Sequence, residues 1–292
     1  MRRSKRLLRL AAALLGVSLI AAACDPNPAT EEAYELGSNG GDPVIIVAGT
    51  FSPAIANEAF LGNAIEATGH THCVFELKGD DNLGNLPGTQ PIELSAGALA
   101  LFVEDVLVWS GETQADLVGH SQGALAARYY IKNFGGAAKV DTFVSLAGPN
   151  EGTDVIGLIT FLTGPLLAPF GVGCETIWPC VQMEEGSTFL TDLNAGDMTP
   201  GPVDYYAFYT DNDELVWYWG SGPFGIPVVK FDNAELGPRA TNVQVDDMCP
   251  FRVVGHVGMI IDPVPIHMTL DALADRPIDV PFLTCLLPPV VI

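Results

Sequence analysis

A serine stands between paired glycines at Gly119-His120-Ser121-Gln122-Gly123, after the run Ala115-Asp116-Leu117-Val118 and before the apolar-rich stretch Ala124 to Phe134. Gly-x-Ser-x-Gly suits a strand that ends in a turn too tight for side chains at the flanking positions and then enters a helix, which lifts the serine hydroxyl out as a nucleophile. The bare pattern occurs by chance; the strand before it and the helix after it make it specific. Ser121 is the candidate nucleophile.

A serine hydroxyl needs a base to take its proton and an acid to orient that base. Where the nucleophile rides a strand-to-helix turn of this kind, the acid and then the base follow it in the chain. Of the histidines at 70, 72, 120, 256 and 267, only the last two lie beyond Ser121. His120 sits in the turn itself, where its side chain cannot easily reach the neighbouring hydroxyl. His70 and His72 flank Thr71 on one strand face; without a third ligand nearby they read as surface histidines, not a metal site. His256 lies in the small-residue segment Val253-Val254-Gly255-His256-Val257-Gly258-Met259, which suits a catalytic loop, whereas His267 follows Pro265-Ile266 and opens a helix. The base is therefore His256. For the acid, Asp204 to Tyr209 reads as a strand that releases into Thr210-Asp211-Asn212-Asp213-Glu214. Local pattern alone does not separate Asp211 from Asp213.

Charge that develops on the carbonyl oxygen must be met by N–H donors. The backbone of Gln122, next after the nucleophile, is one candidate. The loop after the first core strand, Gly49-Thr50-Phe51, supplies the other at Thr50, whose hydroxyl offers a further donor. This chemistry calls for no cofactor and no metal.

The elements that must hold these residues are legible from their patterning. Pro43 to Ala48 is a continuous, mostly β-branched run, as expected of a strand buried on both faces. A helical stretch around Ala54 to Thr68, a strand at His72 to Leu77, a polar Gly-rich loop from Lys78 to Gln90 and a long helix at Glu93 to Ser110 follow. After the Ser121 turn and its helix come strands at Val140 to Leu146 and Asp204 to Tyr209. Thr241 to Leu273 adds a short strand, the Cys249 loop and a terminal helix. This alternation predicts an α/β fold, with a mostly parallel sheet whose functional loops gather at the strand carboxyl ends. Val155 to Val172 is apolar but broken by glycines and prolines, too interrupted for a membrane span and suited to a lid over the site.

Residues 1–23 read as an export signal, with a basic start, an apolar run from Leu10 to Ile20 and Ala21-Ala22-Ala23 as the cleavage site. Residues 24–42 read as a flexible leader and 43–292 as one domain. Removing five basic and no acidic residues with the signal takes the net charge from -22 to -27, which excludes nucleic-acid binding for want of phosphate-neutralising groups. Six cysteines in an exported chain read as a disulfide framework, with Cys174 and Cys180 the natural local pair. Cys24, just after the small-residue site, is also placed as a lipid-modified cysteine would be, which would anchor the protein to the cell envelope.

Taken together, these residues resemble the secreted bacterial class 2 triacylglycerol lipases of the α/β-hydrolase fold, and more distantly the yeast lipase B type. The resemblance spans about residues 43 to 288. It rests on PVIIVAGTFS at 43–52, CVFEL at 73–77, DLVGHSQGALAARYYIKNFGGAAKV at 116–140, SLAGPNEGT at 145–153, GSTFLTDLNAG at 186–196, NDELV at 212–216 and NVQVDDMCP at 242–250. It implies Ser121 as nucleophile, Asp213 rather than Asp211 as acid, His256 as base, and Thr50 and Gln122 as oxyanion donors. It also implies the disulfides Cys24–Cys73, Cys174–Cys180 and Cys249–Cys285. Many relatives have His where this chain has Ala48, and Gly where it has Ala124.

The function this implies is that of an exported serine carboxylic-ester hydrolase acting on acylglycerols at a lipid–water interface, as a monomer with no stable protein partner. A polyester depolymerase or an acyltransferase would use the same triad. A non-catalytic cell-envelope binding protein is the reading from another class, and an intact triad argues against it.

Overall fold

The computed structural model describes residues 22–24, 42–154 and 177–287. The core is a seven-stranded sheet in the order β1-β3-β2-β4-β5-β6-β9. Its strands are β1 (Ala22–Cys24), β2 (Val44–Val47), β3 (His72–Phe75), β4 (Ala115–His120), β5 (Val140–Leu146), β6 (Asp204–Tyr209) and β9 (Thr241–Gln244). β1 runs antiparallel to β3 at one edge, and every other neighbouring pair is parallel. A two-stranded antiparallel hairpin, β7 (Tyr218–Ser221) with β8 (Pro227–Lys230), stands apart.

The longer helices are α1 (Ile92–Ser110), α2 (Gln122–Asn133), α3 (Thr188–Asn194) and α4 (Pro263–Leu273), with a helical segment over 54–66 whose middle turn, Glu58–Gly62, is a π-helix. Strand residues alternate faces, and β2 uses both. Ile45 and Val47 pack with Ile92, Leu99 and Val103 of α1 and with Leu125 and Ile131 of α2. Val44 and Ile46 pack on the other face with Leu61 and Ile65 and with Val264 and Met268 of α4. Helices cover both faces, so the continuous apolar run expected of a doubly buried strand is what β2 shows.

Several boundaries shift. The strand expected at His72 to Leu77 ends at Phe75, and the helix after the Ser121 turn begins at Gln122 rather than Ala124. Among the described residues no helix is long and apolar enough to cross a membrane. The apolar stretch Val155 to Val172, and most of the export signal and leader, lie outside the described residues.

Cys249 and Cys285 form a disulfide, and Cys73 and Cys180 are also disulfide-bonded. Cys24 lies in register with Cys73 across β1 and β3, while Cys174 is outside the described residues.

Candidate active site

Ser121 is the first residue after β4, at φ 55° and ψ -127°, a backbone conformation that side chains rarely adopt. Two close approaches force it. A Cβ on Gly119 would stand 2.6 Å from Ala124 Cα, and one on Gly123 would stand 2.2 Å from the Val47 carbonyl oxygen. The turn therefore folds back on its own helix at one glycine and against β2 at the other. Gly49 completes the packing, since a Cβ there would lie 3.0 Å from His120 Nδ1 and 3.2 Å from Ser121 Cβ. Ala124 lies under the loop after β5, where a Cβ on Gly148 would approach its own Cβ to 2.7 Å.

His256 and Asp213 form a buried pair, with Nδ1 at 3.0 and 2.9 Å from the two carboxylate oxygens. Asp213 Oδ1 also accepts the N–H groups of Leu215 and Val216, at 2.8 and 2.7 Å, so the carboxylate is fixed by its own turn. Burial by itself would lower the His256 imidazole. The Asp213 charge and hydrogen bond, together with Glu214, outweigh it and raise the group above its ordinary value. Asp211 faces the other way: its N–H donates to Asp246 Oδ2, and the residue is exposed. The structure thus brings Asp213, not Asp211, to His256.

The remaining histidines are engaged elsewhere. His267 pairs with Asp271 one turn along α4, at 3.6 Å. His70 is hydrogen-bonded to Thr68. The expectation that His72 is a surface histidine is corrected: it is buried and pairs with Glu58 at 2.9 Å, in space that Gly62 leaves open. A carboxylate fourteen residues upstream, carried in by the π-turn, accounts for the burial. His120 is buried beside His256 and contacts its carbonyl oxygen through Nε2 at 3.1 Å.

Thr50 and Gln122 meet across the loop ends. The Thr50 hydroxyl donates to Gln122 Oε1 at 2.5 Å, so the proton expected to serve as a further oxyanion donor is directed into a latch between the two loops. Their backbone N–H groups have no acceptor among the described residues. Gly88 closes over the latch, where a Cβ would lie 2.9 Å from Gln122 Oε1 and from Thr50 Cα.

Support comes from residues that pattern reading passed over. Thr153 Oγ1 donates to the Leu215 carbonyl at 2.6 Å and receives the Trp217 N–H at 3.3 Å, tying the loop after β5 to the Asp213 turn. Buried Arg128 of α2 donates to the Asn150 carbonyl at 3.0 Å, and Asn150 Nδ2 donates to the Ala234 carbonyl at 2.6 Å. Both tie the same loop down. The signal for Asn150 and Thr153 was the SLAGPNEGT segment, polar residues directly after an apolar strand. Asp42, Asp116 and Asp141 lie close enough together to share a cation, at the opposite, N-terminal ends of the strands.

A family model for lipase (class 2) matches residues 41–237, the part that carries the turn, the latch and the acid. The chain belongs to the class 2 lipases. Its mostly parallel sheet between layers of helices is the α/β-hydrolase fold. Lipase B of Aspergillus fumigatus is similar in structure, with a TM-score of 0.63 at 21% identity, over 89% of this chain and 57% of that one. The class 2 lipase described here therefore spans little more than half the length of the fungal enzyme. The mature Bacillus licheniformis lipase BlEst2 gives a TM-score of 0.55 at 16% identity, over 86% of this chain and 97% of that one. A 2-hydroxy-6-oxo-6-phenylhexa-2,4-dienoate hydrolase from Rhodococcus sp. strain RHA1 gives 0.53 at 14%, over 80% and 91%. At these identities the likeness shows the shared fold.

Proposed function

We propose that the protein is an exported lipase that cleaves acylglycerol esters through Ser121, His256 and Asp213, with the N–H groups of Thr50 and Gln122 as oxyanion donors. The observation that carries this reading is the buried His256–Asp213 pair on loops at the same strand ends as the strained Ser121 turn. With Nδ1 hydrogen bonded to the carboxylate, Nε2 is left as the basic nitrogen.

Ser121 Oγ attacks the ester carbonyl and its proton passes to His256 Nε2. The C–O bond to the alcohol then breaks, and the alcohol leaves with that proton. Water, deprotonated by the same nitrogen, attacks the acyl-enzyme, releases the fatty acid and returns the proton to Ser121. Asp213 holds the ring and stabilises the imidazolium in both halves. The Gln122 N–H of the strained turn and the Thr50 N–H of the loop after β2 supply stabilisation where negative charge develops on the carbonyl oxygen. The cysteine framework supports export, and the acidic surface supports action on a neutral ester rather than a polyanion.

The test is Ser121→Ala in the purified chain, assayed on short- and long-chain p-nitrophenyl esters and on a triacylglycerol emulsion. Hydrolysis and fluorophosphonate labelling are both expected to disappear; retained turnover on any of these esters would sink the mechanism. Wild-type turnover on the emulsion is the expected mark of a lipase, and its absence beside short-chain activity would restrict the reading to an esterase.

A further inference from the structure

Glu214 follows the candidate acid directly, yet its carboxylate addresses a different part of the same histidine. Asp213 takes the ring, whereas Glu214 Oε2 accepts the backbone N–H of His256 at 2.9 Å. The other polar end of that residue, its carbonyl, is met by His120 Nε2 at 3.1 Å. The two imidazole rings lie 4.8 Å apart. Gly255 leaves room for this arrangement, because a Cβ there would stand 2.7 Å from Glu214 Oε2. Two adjacent acids on one loop thus grip one residue at two points, the first buried and the second exposed.

We propose that Glu214 is a positioning residue for His256: its carboxylate clamps the backbone N–H while His120 clamps the carbonyl, and the two together fix the loop from which the ring serves Ser121. This rests on the reading of His256 as the base. The titratable groups that face His256 are Asp213, Glu214 and His120. Burial first, and then the neighbouring imidazole, push His120 down to about 3. It is therefore neutral at working pH, and its Nε2–H donates to the carbonyl without adding positive charge beside the base. The Glu214 charge adds to that of Asp213 in holding the His256 imidazole up against burial. An exposed carboxylate with a merely structural role would leave the titration of that ring unmoved.

The experiment compares Glu214→Ala, Glu214→Gln and Gly255→Ala on a soluble short-chain p-nitrophenyl ester between about pH 5 and 9. Glu214→Ala is expected to lower kcat by about tenfold with KM unchanged, the pattern of a group that acts only as the barrier is crossed. The acid limb of its pH profile moves downward. Glu214→Gln keeps an acceptor for the N–H and restores most of kcat, yet retains the lowered limb because the charge is gone. Gly255→Ala pushes the carboxylate off the peptide and reproduces the kcat loss of Glu214→Ala, and in the double variant kcat is no lower than in Glu214→Ala alone. A wild-type kcat and limb in Glu214→Ala, or additive losses in the double variant, overturn the proposal. An NMR titration of the His256 ring in a Ser121→Ala background reads the Glu214 charge without catalysis, and there Glu214→Gln must lower the titration point. If His256→Ala retained hydrolysis, the assignment of the base would fail instead, and the ring titration would still decide whether Glu214 acts on it.

Discussion

Arg252 and Asp262 close the loop that carries His256 with a buried ion pair, Nε to Oδ1 at 2.7 Å. Asp262 Oδ1 also accepts the Val264 N–H at 2.9 Å and so caps α4, while Arg252 Nη1 reaches the Cys285 carbonyl at 3.1 Å. One guanidinium therefore joins the loop, the last long helix and the disulfide-bonded C-terminal segment. Replacing it by Met strands a buried carboxylate, which costs about 3 kcal/mol. Urea denaturation of Arg252→Met is expected to show that loss, and the double variant Arg252→Met, Asp262→Leu is expected to recover part of it. An unchanged midpoint in the single variant would refute a structural role for the pair.

The His256–Asp213 pair predicts a specific pH dependence. As the proposed base His256 works neutral, and Asp213 together with Glu214 raises its imidazole despite burial. The acid limb of kcat/KM is therefore expected above the value of about 6.5 of a free histidine. Asp213→Asn should lower kcat by about a thousandfold or more and move what remains of that limb downward. The sign for stability is opposite to that for activity. A raised imidazole contributes its paired, protonated stability fully below the unfolded value, and that share is lost as pH rises through the folded one. Rate profiles and thermal melts across the same buffers check both directions.

The latch between Thr50 and Gln122 makes a third test. Thr50→Val keeps the size of the residue and its backbone N–H but removes the hydroxyl, leaving Gln122 Oε1 buried without its donor. A buried unsatisfied group costs about 1 to 3 kcal/mol. We expect kcat to fall by about tenfold through displacement of the two loops, with Thr50→Ser restoring most of it. Rates equal to wild type in the valine variant would show that the latch does not position the N–H groups.

Away from the site, Asp116 predicts how stability varies with pH. Burial pushes its carboxyl up to about 8, against the Thr142 hydrogen bond at 3.0 Å and with the help of Asp42 and Asp141. The folded chain then holds a proton there that an unfolded aspartate releases near pH 4. This group's contribution to stability must decline as pH rises between those two values. Asp116→Asn is expected to melt above wild type at about pH 8 to 9, with the advantage shrinking toward pH 5. Parallel melting curves at all pH values would contradict the buried, proton-holding carboxyl.

The parallel core was legible because its strands are buried on both faces, as the run of four buried residues in β2 shows. Ser121 and His256 were legible for a different reason: chain order and a short supply of histidines left few alternatives. The choice between Asp211 and Asp213 was not legible in the local pattern and came only with the family resemblance, because both sit in one polar turn and the hydrogen bonds of that turn direct one inward. The β7–β8 hairpin escaped notice because its strands alternate between half-buried and exposed residues and so offer no continuous apolar run. Glu214 carried no signal of its own in the sequence. Its partner is a backbone amide 42 residues away, and no side-chain pattern encodes a backbone amide.

Gly49, Gly119 and Gly123 set a boundary on how this scaffold can diverge. A methyl group at any of the three would meet the Ser121 turn, its helix or the neighbouring strand at 3.2 Å or less. Selection for a new ester therefore cannot proceed by small side-chain steps beneath Ser121. A library that randomises these positions spends its members on unfolded chains. Diversity belongs instead in the hairpin and in the loops that rim the strand ends, where side chains are exposed and the nucleophile geometry is left alone.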